Sequence, residues 1–182
     1  MRAAQNLGLE GIWIHRRAMV PFKDRLFLVV AGQPKNRDGK DADYYQKLAK
    51  DLTLDGNICW RLEYIPSDEV PNYFEMCDWV ALPYSRQFGS QSGVLNVAVA
   101  YHRPVLATST PTIAETFREA NVGVLVEPDN LEALTLGINS MYCLLATGVD
   151  RQIDNYLVTF SWEKNVELTS KVYEAIASGE RW

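Results

Sequence analysis

Five short runs, RLFLVVAG (25–32), NICWRLEYI (57–65), DWVALPY (78–84), RPVLAT (103–108) and VGVLVEP (122–128), are mostly apolar on both of their alternating faces. A strand of that kind is buried on both sides of its sheet, the condition of parallel sheets covered by helices. Helical patterns lie between the runs. DADYYQKLAKDL sets Tyr44, Leu48 and Leu52 on one stripe, and SDEVPNYFEMC begins with Ser67 as a cap and two acids in its first turn. TPTIAETF puts Thr110 at a cap and Pro111 at the first helical position, where the missing N–H costs nothing. Strand and helix alternate, which predicts an α/β fold: a doubly wound, mostly parallel sheet with helices on both faces.

The last third reads as helix. Asp129 with Glu132 forms a capping-box pattern ahead of a stripe of Leu131, Leu134, Ile138, Met141, Tyr142 and Leu145, and TGVD breaks it. A second helix restarts with Ser161 as cap and Trp162, Val166, Thr169, Tyr173 and Ile176 on one face. Trp60, Trp79 and Trp162 all fall in core patterns. GQPKNRDGKDAD (32–43) reads as a solvated loop.

The 182 residues suit one compact domain, and a formal charge of -5 without a basic stripe argues against nucleic acid as the main partner. No apolar run is long enough to span a bilayer, and MRAAQNLGLEG lacks the apolar centre of a signal peptide. Cys59, Cys77 and Cys143 show no metal-ligand spacing; they read as buried small hydrophobes in a reducing compartment. These features predict a cytoplasmic chain, with attachment to the inner face of a membrane as a second location.

Ligands of open parallel sheets collect at the carboxyl ends of the strands, so the turn SRQFGSQSG (85–93) faces the expected site. A helix beginning near Ser92 leaves the N–H groups of Ser92, Gly93 and Val94 at its positive end, where phosphate binds well. Gly93 lets a ligand oxygen approach the main chain, and Gln91 and Ser92 add side-chain donors. Ordinary helix capping explains the same Ser-Gly pair without a ligand. There is no Rossmann glycine fingerprint and no P-loop. A Ser/His/Asp site finds no support without a GxSxG elbow. His102 reads as a surface-turn residue and His15 as structural, while Glu63 and Glu115 divide equally between ligand contact and cap or solvent roles. No catalytic side chain is assigned.

Four segments in order carry a resemblance: EYIPSDEVPNYFEMCDWVALPY, SQSGVLNVAVAYHRPVLAT, IAETFREANVGVLVEPDNLEAL and FSWEKNVELTSKVYEAI. Together they resemble the C-terminal, nucleotide-sugar-binding domain of the group 1 (family 4) retaining glycosyltransferases, enzymes of the two-domain GT-B fold. The resemblance runs from about residue 25 to 177. It implies transfer of a sugar, with retention, from a nucleotide diphosphate sugar to an acceptor, with no metal and no other cofactor. It maps the phosphate-cradling helix start onto Ser92, Gly93 and Val94, and the loop where the base rests onto Tyr64 and Ile65.

The chain departs from the family in two places. The slots of a glutamate pair hold Gly89 and Val97, with Gln91 and Asn96 the nearest polar substitutes. Residues 1–24 read as a helical segment set apart from the domain at 25–182, with no room for the family's first strand or its Arg/Lys loop; Arg16, Arg17 and Lys23 do not match that loop. The expectations that follow are an acceptor domain supplied by a missing half or a partner chain, an isolated chain without transferase activity, and self-association through an unpaired sheet edge. The alternatives are a non-catalytic nucleotide-binding or protein-interaction module of the same fold, and a different nucleotide enzyme on a flavodoxin-like sheet.

Overall fold

The computed structural model describes residues 2–6, 18–33, 42–148 and 150–178. Six parallel strands form one sheet: β1 (Arg2–Asn6), β2 (Phe27–Ala31), β3 (Ile58–Arg61), β4 (Trp79–Leu82), β5 (Val105–Thr108) and β6 (Gly123–Val126). Their order in space is β3-β2-β1-β4-β5-β6. The direction of winding therefore reverses between β1 and β4, and the crevice beyond the carboxyl ends of those two strands is where such sheets take ligands.

Among the described residues the α-helices that connect and follow the strands are α1 (Ala42–Asp51), α2 (Val70–Met76), α3 (Gly93–Ala100), α4 (Pro111–Glu119), α5 (Leu131–Thr147), α6 (Asp150–Thr159) and α7 (Trp162–Ser178). Every residue of β4 and β5 is buried, so neither face of the central sheet meets water. Period-two alternation sends Trp79, Ala81 and Leu106 into one core layer, under Tyr45 and Ala49 of α1 and Leu134, Ile138 and Met141 of α5. Val80, Leu82, Val105 and Ala107 enter the other, under Phe74 of α2, Leu95 and Val99 of α3, Ile113 of α4 and Ile153 of α6. This is the doubly wound α/β architecture expected from the five apolar runs, each of which contains one strand.

The N-terminus differs from expectation. Arg2–Asn6 is a strand, paired residue for residue with Phe27–Ala31 on one side and, at Ala3 and Ala4, with Trp79 and Val80 on the other. Residues 2–6 thus lie in the middle of the sheet, and its edges are β3 and β6. The edge that a missing first strand would leave open is closed. Backbone ladders on both sides hold this strand, but Arg2, Gln5 and Asn6 are polar, so no apolar run marks it in the sequence.

Several helix details also shift. The inward face of α1 carries Tyr45 and Ala49, with Tyr44 exposed, one residue out of phase with the expected stripe. The residue preceding α2 is Glu69, because the chain still turns at Ser67 and Pro71 suits only the first helical turn. Asn130 caps α5 by accepting the Ala133 N–H at 3.0 Å, while Asp129 stands in the left-handed region at φ 59°. Thr110 and Pro111 open α4 as expected, although the Thr110 hydroxyl makes no cap bond. Ser161 does cap α7, accepting the Lys164 N–H at 3.1 Å. Of the three cysteines only Cys77 is buried; Cys59 faces out from an edge strand and Cys143 from the outer side of α5. Trp79 is core and Trp60 half-buried, but Trp162 is 82% exposed. His15, Arg16, Arg17 and most of the 32–43 loop lie outside the described residues.

Candidate functional site

The turn between β4 and α3 is fixed from three directions. Ser92, the N-cap of α3, is 5% exposed, and its Oγ accepts the Leu95 N–H at 3.1 Å. The Tyr84 hydroxyl lies 2.9 Å from the same Oγ, and burial pushes the phenol's pKa up, so it stays protonated. The Tyr84 carbonyl accepts from the Thr108 hydroxyl at 2.7 Å, and the Ser90 carbonyl from the Thr112 hydroxyl at 2.9 Å. Tyr84 also stacks on Phe88, with ring centroids 3.8 Å apart and planes 5° from parallel. The end of β5 and the first turn of α4 thereby hold the loop that precedes α3.

That arrangement leaves the start of α3 open. Among the described residues no acceptor pairs with the N–H groups of Gly93 or Val94. A Cβ built on Gly93 would meet nothing within 4 Å. Two main-chain donors, the positive end of the helix dipole and free space in front of them make a site for an anion.

Beside this turn, at the ends of β5 and β6, lies an open groove of about 580 Å³ lined by Arg86, Ser109, Pro111, Leu125, Val126, Glu127 and Pro128. Arg86 spans it. Its backbone N–H donates to Asp129 Oδ2 at 3.2 Å, and Nη2 donates to Glu127 Oε1 and the Pro128 carbonyl, each at 3.4 Å. A hydrogen bond from Asn130, and then one from Arg86, holds the Glu127 carboxyl below the usual carboxylate range. All three charged side chains are well exposed, so solvent screening leaves each pair only a weak contribution to stability. The groove lining does not include 91–94.

The residues singled out in the sequence do not all meet. Gln91 and Gly93 are exposed, Ser92 is buried as the cap, and Val94 is half-buried against the core. Ser92 Oγ is already engaged by Leu95 and Tyr84, so it shapes the turn instead of offering the extra donor expected of it. Asn96 Oδ1 accepts the Tyr156 hydroxyl of α6 at 2.7 Å, which turns that side chain toward the helix layer. Tyr64, 70% exposed, and half-buried Ile65 follow β3 at the same end of the sheet, about 14 Å from β4 by strand spacing. Glu63 pairs with Arg61 at 2.9 Å, and Glu115 is exposed on α4. His102 sits past the far end of α3, exposed at φ 52° with Nδ1 3.7 Å from Asp154, as a surface-turn histidine should. Among the described residues no His, Cys, Asp and Glu group has the makings of a metal site, and no helix is long and apolar enough to cross a membrane. Tyr84, Thr108 and Thr112 went unread in the sequence; the one available signal was Thr108 as the only polar residue of a buried strand.

Residues 17–143, which contain both the turn and the groove, match the family model of the glycosyl transferases group 1. The chain belongs to that family. No curated protein sequence matches it. Among solved structures it is similar to a glycosyltransferase from Rickettsia africae ESF-5, with a TM-score of 0.79 at 19% identity over 97% of this chain and 48% of that one. It is also similar to Anabaena Alr3699/HepE in complex with UDP, with a TM-score of 0.74 at 19% identity over 97% and 48% of the two chains. A third likeness is the C-terminal domain of the group 1 family protein LpcC from Francisella tularensis, with a TM-score of 0.69 at 21% identity over 87% and 85%. At such identities these likenesses establish the fold, a Rossmann-like half of the GT-B type. The chain spans about half the length of the first two.

Proposed function

We propose that this group 1 domain is the C-terminal, donor-binding half of a retaining (family 4) glycosyltransferase, and that it holds a nucleotide diphosphate sugar at the start of α3. The observation that carries the proposal is the pair of unpartnered N–H groups at Gly93 and Val94, open to solvent beside the point where the sheet reverses. The UDP bound by HepE, a structural relative, supports a nucleotide donor. In this reading the diphosphate lies on the helix start, where the two donors and the dipole stabilise the charge that builds on the leaving group as the glycosidic bond breaks. Gln91 adds a side-chain donor. The base reaches across β1 and β2 to the main chain at Tyr64 and Ile65. Ser92 and Tyr84 keep the donors aimed, and Asn96 stays with α6.

The acceptor is held by a further domain or a partner chain, on the pattern of relatives twice as long. Positioning acceptor against donor in a closed cleft supplies roughly 7–11 kcal/mol of barrier reduction, which half a cleft does not provide. The domain works in the cytoplasm, near the inner face of a membrane. Gly89 and Val97, in the slots where the resemblance implies a glutamate pair, favour a second reading as a nucleotide-binding module without catalysis. The experiment is calorimetric titration with UDP, GDP and ADP, followed by incubation with a panel of nucleotide sugars and simple acceptors. Saturable binding of at least one nucleotide without glycosylated product is expected. Multiple turnovers by the chain alone would show that its own residues complete the site, and no binding at millimolar nucleotide would remove the donor-site reading.

A further inference from the structure

We infer that the groove at the ends of β5 and β6 receives the sugar ring of the donor, and that Arg86, Ser109 and Glu127 are the side chains that hold its hydroxyls and select the sugar. The inference rests on the proposed place of the diphosphate at the start of α3. From there a nucleotide diphosphate sugar extends two ways, the nucleoside from one phosphate and the sugar from the other. The base runs toward β3, so the sugar heads toward β5 and β6, where the groove lies. The two places adjoin. Thr112, one residue past Pro111 of the lining, donates to the Ser90 carbonyl at 2.9 Å, and the three steps from Ser90 to Gly93 span at most about 11 Å.

The chemistry of the groove fits a neutral ring bearing hydroxyls. Pro111, Leu125, Val126 and Pro128 give it apolar surface for the C–H face of a sugar, and a few polar side chains give it partners for the O–H groups, the mixture by which a small-molecule site binds and orients its ligand. Glu127 Oε1 takes a bond from Arg86 at 3.4 Å and Oε2 one from Asn130 at 2.9 Å, which leaves each oxygen a second lone pair for a sugar hydroxyl. The Arg86 guanidinium meets Glu127 and the Pro128 carbonyl only at 3.4 Å and Asp129 at 4.0 Å, so it has N–H donors to spare for hydroxyl oxygens. The exposed Ser109 hydroxyl has no partner among the described residues.

Charge narrows the class of sugar. One guanidinium between the carboxylates of Glu127 and Asp129 leaves the cluster net negative, which repels a second anionic group on the ligand. A neutral hexose or N-acetylhexosamine is the class accepted, and a uronic acid the class refused.

Amide shifts of the labelled chain with UDP, UDP-glucose, UDP-galactose, UDP-N-acetylglucosamine and UDP-glucuronate test this. UDP should move 91–94 and leave the groove unmoved, whereas at least one neutral UDP-sugar should add saturable shifts at Arg86, Ser109 and Glu127, and UDP-glucuronate should not. Glu127→Ala, or Ser109→Phe, which fills the groove, should weaken that UDP-sugar by about tenfold while UDP binds each variant as it binds the parent. Far-UV circular dichroism and melting temperature confirm that both variants are folded. Methyl glycosides of glucose, galactose and mannose, added at high millimolar concentration without nucleotide, should shift the same groove amides weakly in the parent and not in Ser109→Phe. A neutral UDP-sugar that binds yet moves only 91–94 would overturn the inference. If no nucleotide binds, the glycosides decide: shifts at the groove keep it as a sugar site and remove only the donor reading, and no shifts overturn both.

Discussion

Gly123→Val is expected to leave the chain unfolded under conditions where the parent is stable. Gly123 stands opposite Val105 in the parallel ladder between β5 and β6, and a Cβ there would overlap the Val105 carbonyl oxygen and crowd its backbone N at 2.6 Å. The obstacle is the main chain of a strand buried on every residue, so it cannot rotate away as a side chain would. Relief means separating the two strands, which breaks the ladder that also carries the Val105 N–H to Val122 bond. Such a disruption costs more than about 4 kcal/mol, a large part of the roughly 5–15 kcal/mol that holds a domain together. Gly89→Ala, where an added methyl meets nothing within 4 Å, is the control and should change stability by less than about 0.5 kcal/mol. Urea denaturation followed by circular dichroism separates the two. A Gly123→Val chain that unfolds near the parental midpoint would mean that β5 and β6 are not paired in this register.

Gly93→Val should behave in the opposite way, with the fold kept and the nucleotide lost. The position has open space around it, it is the first residue of α3, and its φ is not in the left-handed region. Valine therefore fits the unliganded chain, and lower unfolded-state entropy offsets its modest helix propensity. A diphosphate oxygen that hydrogen-bonds the N–H groups of 93 and 94 must come to about 2.9 Å of the main chain, which isopropyl bulk beside it obstructs. Affinity for UDP should fall at least tenfold, about 1.4 kcal/mol, with the melting temperature within a few degrees of the parent. Unchanged affinity would place the phosphates elsewhere.

What the sequence disclosed follows from how locally each feature is specified. Strands β2 to β6 stood out because burial on both faces leaves near-continuous apolar runs. The strand RAAQN did not, since three of its five residues are polar and its place is set by ladders to segments more than twenty residues away. In α1 the paired tyrosines offer two stripes one residue apart, and only the packed sheet chooses Tyr45 over Tyr44. Asp129 and Asn130 are equally good caps by chemistry, and the left-handed turn at Asp129 decides between them. The Ser92 cap was legible from Ser-Gly ahead of an apolar helix, whereas the Thr108 to Tyr84 bond joins residues 24 apart and exists only once β4 and β5 are neighbours. Trp162 shows the converse: an apolar helical row reads as core whether or not the chain itself supplies a cover.

The most direct test of the donor site is a UDP titration of isotope-labelled chain followed through its backbone amides. The N–H resonances of Gly93 and Val94, which have no acceptor among the described residues, should move furthest and saturate with the ligand, with smaller shifts at Gln91 and Ser92 and at Tyr64 and Ile65. Saturable shifts confined to Arg86, Ser109 and Glu127, or none at 91–94 up to millimolar UDP, would contradict a diphosphate seated on the start of α3.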